Sequence, residues 1–395
     1  MKVLMLSTDQ SVFKSSSSSR ERMKDYGSLV EELHIIVKNQ KSKIKNQNFG
    51  NVFLYPTNDI FNFLYFFNAY KIAKKILVAS GQWLITAQDP FETGLVGYWL
   101  KRKCNLPLQV QVHTDFLSPY FWRESVKNKI RVVMGRWLVK KADGLRVVSE
   151  RIKNSLVASG YTSSSLRLSE PNGLKPVSVL PIFVDIQKIR DVPINMDLHQ
   201  KYPDKFIILM ASRLTKEKNI AMAIEAIRRL TRISTPINAE RILLLIVGDG
   251  PEYENLKSQI SNLKLQECVI IENWSDDLES YYKTADLFLL TSNYEGYGRT
   301  VVEATAVGLP VVMTDVGVAI GIVSPVEDVK TLVGNLKLLL EGKLTRDEVL
   351  KNQVEILSFY RSKEDFLNRT KQSWSRCLTS RILDSDALSE SEQNK

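Results

Sequence analysis

Short, uninterrupted apolar runs, each closed by a polar or glycine-bearing turn and followed by a helical pattern, constrain this chain more than any other feature. Val3–Leu6 is the first such run. Arg20–Leu33 reads as a helix and His34–Val37 as a strand, with further strands at Gln82–Ala87 and Gln109–His113 and a helix over Glu92–Lys101. Gly144–Ser149 is a strand whose last residue, Ser149, can cap a helix beginning near Glu150. The rhythm then restarts at Phe206–Ala211. Asn219–Leu230 places Ile220, Ala223, Ile224 and Ile227 at i, i+3, i+4 and i+7, which gives a helix one apolar face. Ile242–Val247, Val269–Glu272, Leu287–Leu290 and Pro310–Met313 complete a five-strand set. Strands that are apolar along their whole length and alternate with helices are covered on both faces. The fold class is therefore α/β with parallel sheets.

The 395 residues suffice for two cores. A mixed polar stretch flanked by Pro193 and Pro203 marks the boundary region, near 187–203. The expected organisation is a first domain over 1–187 and a second over 188–356. A C-terminal helix over 357–382 returns to the first domain, and 383–395 form a flexible tail. The serine run Ser15–Ser19 and the lysine-rich Lys38–Asn48 are expected as flexible surface loops. The aromatic stretch Ile60–Phe67 is expected in the core.

Charge separates the halves. The whole chain is +10, but residues 1–190 hold 29 basic and 14 acidic side chains, so the first half is +15 and the remainder −5. A basic half suits a nucleic acid, an anionic membrane or a phosphorylated substrate. Three widely spaced cysteines (Cys104, Cys268, Cys377) point to neither a disulfide framework nor a zinc site, and they fit a reducing compartment. The three histidines form no metal-binding pair. With no transmembrane run or signal peptide visible, a cytoplasmic protein is expected.

Three strand-end segments carry candidate chemistry. Glu295-Gly296-Tyr297-Gly298-Arg299-Thr300 runs from the strand Leu287–Leu290 into a helix that holds Glu303. Glycines let backbone approach a ligand, and the amides of a helix start favour an anion. A pyrophosphate can rest on Gly298–Thr300 beside Arg299, while Glu295 and Glu303 accept from sugar hydroxyls. Thr300-x-x-Glu303 also matches a capping box, the better reading of an isolated match. A mere cap, however, needs neither two glycines nor a second carboxylate before it. Arg213 and Lys218 follow the strand Phe206–Ala211 and can clamp a diphosphate as it leaves, although alone they read as a solvated loop. His113 follows the strand Gln109–His113 and is expected to face the cleft between domains, with a hydrogen-bonded core histidine as the alternative. Asp89 and Glu92 read equally well as an acidic helix start.

Arg213…Lys218, Gly248-Asp249-Gly250-Pro251 and Glu295-Gly-Tyr-Gly…Glu303…Gly308-Leu-Pro-Val-Val together resemble the family-4 retaining glycosyltransferases, glycosyl transferases group 1. The resemblance is strong over about 205–325 and weaker over 1–190. It implies a GT-B fold, with two Rossmann-like domains whose parallel sheets face a central cleft. It also implies a nucleotide-diphosphate sugar as donor and retention of anomeric configuration by front-face displacement. Arg213 and Lys218 would bind the diphosphate, Glu303 the ribose and Glu295 the donor sugar, and His113 would lie near that sugar. Gly248 and Trp274, the latter within Asn273–Ser275, would border the nucleotide. Gly296, Tyr297, Gly298, Arg299 and Thr300 would contact sugar and phosphates. Glu295, His113, Arg213 and Lys218 are thus the candidate catalytic groups. No cofactor or metal is expected, since the two cations Arg213 and Lys218 already supply the positive charge that a divalent ion would bring to the diphosphate.

This sequence departs from the family pattern in places. Ser15–Ser19 stands where a Gly-Gly loop is usual, Pro181-Ile182-Phe183-Val184-Asp185 replaces Pro-Asn-Gly-Val-Asp, and Gly317-Val318 replaces a second Gly-Gly.

The acceptor is expected to be a glycan or a lipid-linked molecule. Arg123, Lys127, Lys129, Arg131, Arg136, Lys140, Lys141 and Arg146 interleave with Tyr120, Phe121, Trp122 and Trp137, which suits peripheral contact with an anionic membrane at its inner face. Three alternatives remain. A GT-B epimerase or phosphorylase keeps the fold, and a basic nucleic-acid-binding protein explains the charge but leaves the strand-end glycines unexplained. A nicotinamide dehydrogenase would need G-x-G-x-x-G, which is missing.

Overall fold

A computed structural model describes residues 1–39, 44–61, 64–78, 80–161, 176–232, 241–360 and 362–393, with side chains as far as Thr379. The chain begins with β1 (Lys2–Ser7), α1 (Ser18–Gly27), β2 (Glu32–Val37), β3 (Gln47–Phe49), β4 (Val52–Pro56), α2 (Leu64–Ile76), β5 (Trp83–Ala87), α3 (Glu92–Cys104) and β6 (Leu108–Val112). α4 (Pro119–Glu124), α5 (Val126–Lys141), β7 (Gly144–Val147), α6 (Glu150–Ala158), β8 (Val177–Val179), α7 (Ile186–Asp191) and α8 (Leu198–Lys201) follow. Next come β9 (Phe206–Ala211), α9 (Ile220–Leu230), β10 (Ile242–Val247), α10 (Tyr253–Asn262), β11 (Val269–Glu272), α11 (Leu278–Thr284) and β12 (Leu287–Leu290). The chain ends with α12 (Arg299–Ala306), β13 (Val311–Thr314), β14 (Ile322–Ser324), α13 (Val329–Leu340), α14 (Arg346–Gln353) and α15 (Lys363–Gln393).

Two compact units result. The first takes Met1–Leu117, Ser125–Pro181 and the chain from Glu364 onward; the second takes Ser118–Glu124 and Ile182–Lys363. The second begins ahead of the Pro193–Pro203 stretch because α7 is already tied to it, with Arg190 Nε donating to the Ala306 carbonyl at 2.7 Å.

The first unit is built on an eight-stranded sheet in the order β3-β4-β2-β1-β5-β6-β7-β8, parallel except for the β3–β4 pair. Strand interiors are fully apolar, with Val3, Leu4, Met5 and Leu6 at zero exposure, as the uninterrupted run requires. The C-terminal helix α15 belongs to this unit: buried Trp374 meets Tyr26 of α1 edge-on at 5.8 Å.

Several sequence expectations need correction here. α1 stops at Gly27, where a Cβ would sit 2.5 Å from Val52 Cγ2, and the chain then enters β2 at Glu32. The serine run is not a loose loop. Ser17 caps α1 by accepting from the Arg20 amide, and Ser19 Oγ donates to Asp9 at 2.5 Å. The β3–β4 hairpin passed unanticipated, though Val52–Pro56 alternates buried and half-buried, the period-two mark of a strand. Lys41 and Lys43 lie outside the described residues, as do Asn62 and Phe63. The rest of Ile60–Phe67 is not core: Ile60, Phe61 and Phe67 are exposed, Phe66 leans on Trp99 at 4.5 Å, and only Tyr65 is buried. Val354–Tyr360 forms a 3-10 segment, so the last helix starts at Lys363 rather than at 357; its backbone stays helical to Gln393.

The second unit holds a six-stranded parallel sheet, β11-β10-β9-β12-β13-β14. Its sixth strand, β14, is only three residues long and gave no apolar run to read. α9 buries Ile220, Ala223, Ile224, Ile227 and Leu230 in the core beside Leu332 and Leu336 of α13. Each isoleucine buried this way contributes about 1.5–3 kcal/mol.

Candidate active site

Strand order decides where this unit can bind a ligand. From β9 the chain builds outward through β10 and β11, then returns to place β12 on the other side of β9. In open parallel sheets such a reversal leaves a crevice at the strand carboxyl ends. Here the loops leaving β9 and β12 lie side by side. Thr291 Oγ1 donates to the Lys218 and Asn219 carbonyls at 3.1 and 3.0 Å. The Asn293 amide donates to the Glu217 carbonyl at 2.8 Å, and Asn219 Nδ2 donates to Asn293 Oδ1 at 2.9 Å.

This strapping joins the two candidate groups. Lys218 Nζ lies 2.5 Å from Glu295 Oε1, which also accepts from Ser292 Oγ at 2.8 Å; both charged side chains are largely buried. Arg213 stands apart. Its side chain is 75% exposed, and its guanidinium pairs with Glu217 at 3.1 Å. The pair is thus one largely buried, ion-paired cation and one exposed cation at the same strand end.

The glycine segment folds tightly around this pair. Gly298 caps α12 with φ at 99°, a conformation that favours glycine, and no side chain caps the helix. The capping-box reading of Thr300 and Glu303 is thereby overturned: the helix starts at Arg299, two residues earlier than that box needs, so Glu303 is not in the third helical position. Glu303 instead accepts from Arg299 Nε at 2.6 Å and from the Tyr282 hydroxyl at 3.1 Å. Burial raises its pKa, against the pull of Arg299. Burial also pushes the Tyr297 phenol up to about 12. From β13 the next loop closes on the segment: the Val318 amide donates to the Tyr297 carbonyl at 2.9 Å, and Gly317 has φ at 56°.

Beyond β10, Gly248 and Gly250 permit close backbone approach. A Cβ on Gly248 would sit 1.9 Å from the Ser212 carbonyl oxygen, and one on Gly250 would sit 2.3 Å from that of Leu214. Trp274, half-exposed past β11, lies over this turn with its amide 3.4 Å from Asp249 Oδ2. The structure therefore brings Arg213, Lys218, Gly248, Trp274, Glu295, Gly296, Tyr297, Gly298, Arg299, Thr300 and Glu303 into one unit, on loops and a helix start that follow β9–β12.

His113 is in the first unit, just past β6, with Nε2 2.9 Å from Gln111 Oε1. Burial, with Arg146 and Arg22 nearby, lowers its pKa to about 3, so it is neutral. Asp89 and Glu92 take the helix-start reading. Asp89 Oδ1 accepts from the Phe91 and Thr93 amides, and Glu92 pairs with Arg131 at 2.7 Å. Reading the sequence missed Ser292, Asn293 and Tyr282, because no spacing marks a residue that acts by orienting another. It also missed α4, which belongs to the second unit and sets Phe121 edge-on to Tyr294 at 5.3 Å.

Comparisons with known proteins agree with this geometry. The family model "Glycosyl transferases group 1" matches residues 191–356. The alpha-monoglucosyldiacylglycerol synthase of Streptococcus pneumoniae is 27% identical over 253 residues, 62% of this chain and 55% of that protein. An Escherichia coli UDP-Gal:alpha-D-GlcNAc-diphosphoundecaprenol alpha-1,3-galactosyltransferase is 24% identical over 57% of this chain and 56% of its own length. The chain thus spans little more than half the length of these relatives. Among solved structures, sucrose-phosphate synthase from Thermosynechococcus elongatus superposes with a TM-score of 0.75 at 16% identity, covering 96% of this chain and all of that one. Anabaena HepE in complex with UDP and glucose gives 0.68 at 19% identity, covering 95% and 99%. On its strand-end site, its two Rossmann-like units and these matches, the chain has the GT-B fold, and its residues 191–356 belong to the glycosyl transferases group 1 family.

Proposed function

We propose that the chain is a retaining hexosyltransferase that moves a sugar from a nucleotide-diphosphate sugar to a glycan or lipid-linked acceptor. The observation that carries this reading is the Lys218–Glu295 pair set beside the uncapped start of α12. In the reaction the bond from the anomeric carbon to the diphosphate oxygen breaks, and a bond from that carbon to the acceptor oxygen forms on the same face. The acceptor's proton passes to the leaving diphosphate. Negative charge grows on that diphosphate, and Lys218, Arg213 and the amides of Arg299 and Thr300 would absorb it. Donor arrival separates the Lys218–Glu295 pair, giving the cation a phosphate and the carboxylate a sugar hydroxyl. Glu303, fixed by Arg299 and Tyr282, suits a ribose diol. HepE was crystallised with UDP and glucose, which makes UDP-sugars the first donors to test. In a thermal-shift panel of UDP-, GDP- and ADP-sugars, one nucleotide class is expected to raise Tm. A flat response to all three contradicts the proposal.

The acceptor side is proposed to meet an anionic membrane through α5. Val126, Ile130, Val133 and Trp137 are 72, 62, 61 and 41% exposed, and at 100° per residue they fall in one stripe about 60° wide. Lys127, Lys129, Arg136, Lys140 and Lys141 flank it. Several residues expected on this face are not on it: Arg131 is paired with Glu92, Arg146 and Phe121 are buried, and Tyr120, Trp122 and Arg123 belong to α4. No helix among the described residues is long and apolar enough to cross a membrane. Peripheral docking is therefore the geometry to test. The protein is expected to sediment with vesicles containing anionic lipid and to lose that binding in an Ile130→Asp, Val133→Asp variant. Equal binding to neutral vesicles contradicts an electrostatic dock.

A further inference from the structure

His113 ends a buried polar chain that dictates which ring nitrogen carries its proton. At the far end the Ser373 backbone carbonyl on α15 can only accept. Gln109 Nε2 lies 3.2 Å from it and 2.9 Å from Ser373 Oγ, which turns the Gln109 amide oxygen toward Thr86. Thr86 Oγ1 donates to that oxygen at 3.4 Å and accepts from Gln111 Nε2 at 2.8 Å. Gln111 therefore presents its oxygen to His113 Nε2, at 2.9 Å. The other end gives the same answer independently: Arg146 Nη1, which can only donate, lies 3.3 Å from that oxygen. Thr86, Gln109, Gln111, Arg146 and Ser373 are each at most 3% exposed, so bulk water offers no substitute partners.

We infer that Gln111 and Arg146 are positioning residues that hold His113 as the neutral Nε2–H tautomer. Nδ1, without a partner among the described residues, then becomes an obligate acceptor, and the substrate group it meets is a hydroxyl rather than a phosphate oxygen. The identity of that ligand rests on the glycosyltransferase reading; the tautomer is a property of the protein alone. The charged groups bearing on the imidazole are both cations, Arg146 from β7 and Arg22 from α1. Arg22 has Asp9 at 3.7 Å, whereas no ion pair involves Arg146 among the described residues and its Nε is buried without an acceptor. Protonating His113 would add a third positive charge and set a second N–H donor in the ring.

Long-range proton–nitrogen spectra of histidine-labelled, ligand-free protein test this. The chain has only His34, His113 and His199, so a His113→Asn variant assigns the signal. The expected result is a neutral Nε2–H ring unchanged between about pH 5 and 8. Gln111→Glu, which adds a carboxylate at the same position, is expected to bring the titration to or above the ordinary imidazole value of about 6.5. With a donor in hand, this variant should lose turnover below that pH and regain it above. A wild-type ring that carries its proton on Nδ1, or that titrates between pH 5 and 8, overturns the inference, as does a Gln111→Glu spectrum that matches wild type. The expected spectra with no nucleotide sugar bound would remove the functional reading and leave the tautomer assignment standing.

Discussion

Lys218→Met is expected to lower turnover with a nucleotide sugar by about 10²–10³-fold, the scale seen when one preorganised donor to a developing negative charge is removed. Lys218 is the ion-paired cation of the site, 16% exposed and 2.5 Å from Glu295. Losing it also leaves the Glu295 carboxylate, 13% exposed, without its counter-charge, which costs stability. A Lys218→Met, Glu295→Gln double variant separates the two effects: melting temperature should recover while turnover stays low. Arg213→Ala is the complementary probe. Its side chain is 75% exposed and pairs with Glu217 on the surface, so Tm should not move while turnover falls by at least ~100-fold. Normal kinetics in both single variants would remove the two cations from leaving-group stabilisation.

The second large effect is expected from Gly317→Ala. A Cβ there would lie 2.3 Å from the Tyr297 carbonyl oxygen and 3.1 Å from Glu295 Cβ, at a φ of 56°. The left-handed backbone costs an alanine about 1 kcal/mol, and the clash must displace the segment that holds Glu295. Donor affinity should fall at least about tenfold, which corresponds to 1.4 kcal/mol. Gly342→Ala is the control. Its φ is 66° with nothing within 4 Å of the added Cβ, so it should cost stability without touching donor binding. Calorimetric titration with the stabilising nucleotide sugar checks both. Equal donor affinity in the two variants would show that Gly317 does not shape the site.

That these candidate residues come together was legible because they are adjacent in sequence to buried strands. Arg213, Lys218 and Glu295 follow continuous apolar runs, and a parallel sheet delivers whatever follows its strands to one edge. The capping box, set aside because of the two glycines before it, fails for a physical reason. The spacing from Thr300 to Glu303 fits, but Gly298 at φ 99° lets the helix begin two residues sooner, which frees Glu303 for Arg299 and Tyr282. The aromatic stretch misled because hydrophobicity says that a surface prefers burial and not that the fold supplies a neighbour to cover it. Ile60, Phe61 and Phe67 remain exposed. The chain from Ser373 to His113 was not legible at all. Its step from Ser373 to Gln109 spans 264 positions, and it continues through buried amides and a hydroxyl whose roles appear only when their partners are known.

A crystal structure with a bound UDP-sugar tests the central claim most directly. The diphosphate is expected on Lys218, Arg213 and the amides at the start of α12, with the ribose diol on Glu303 and the Lys218–Glu295 contact broken. A nucleotide seated elsewhere on the protein, with that ion pair intact, would contradict it.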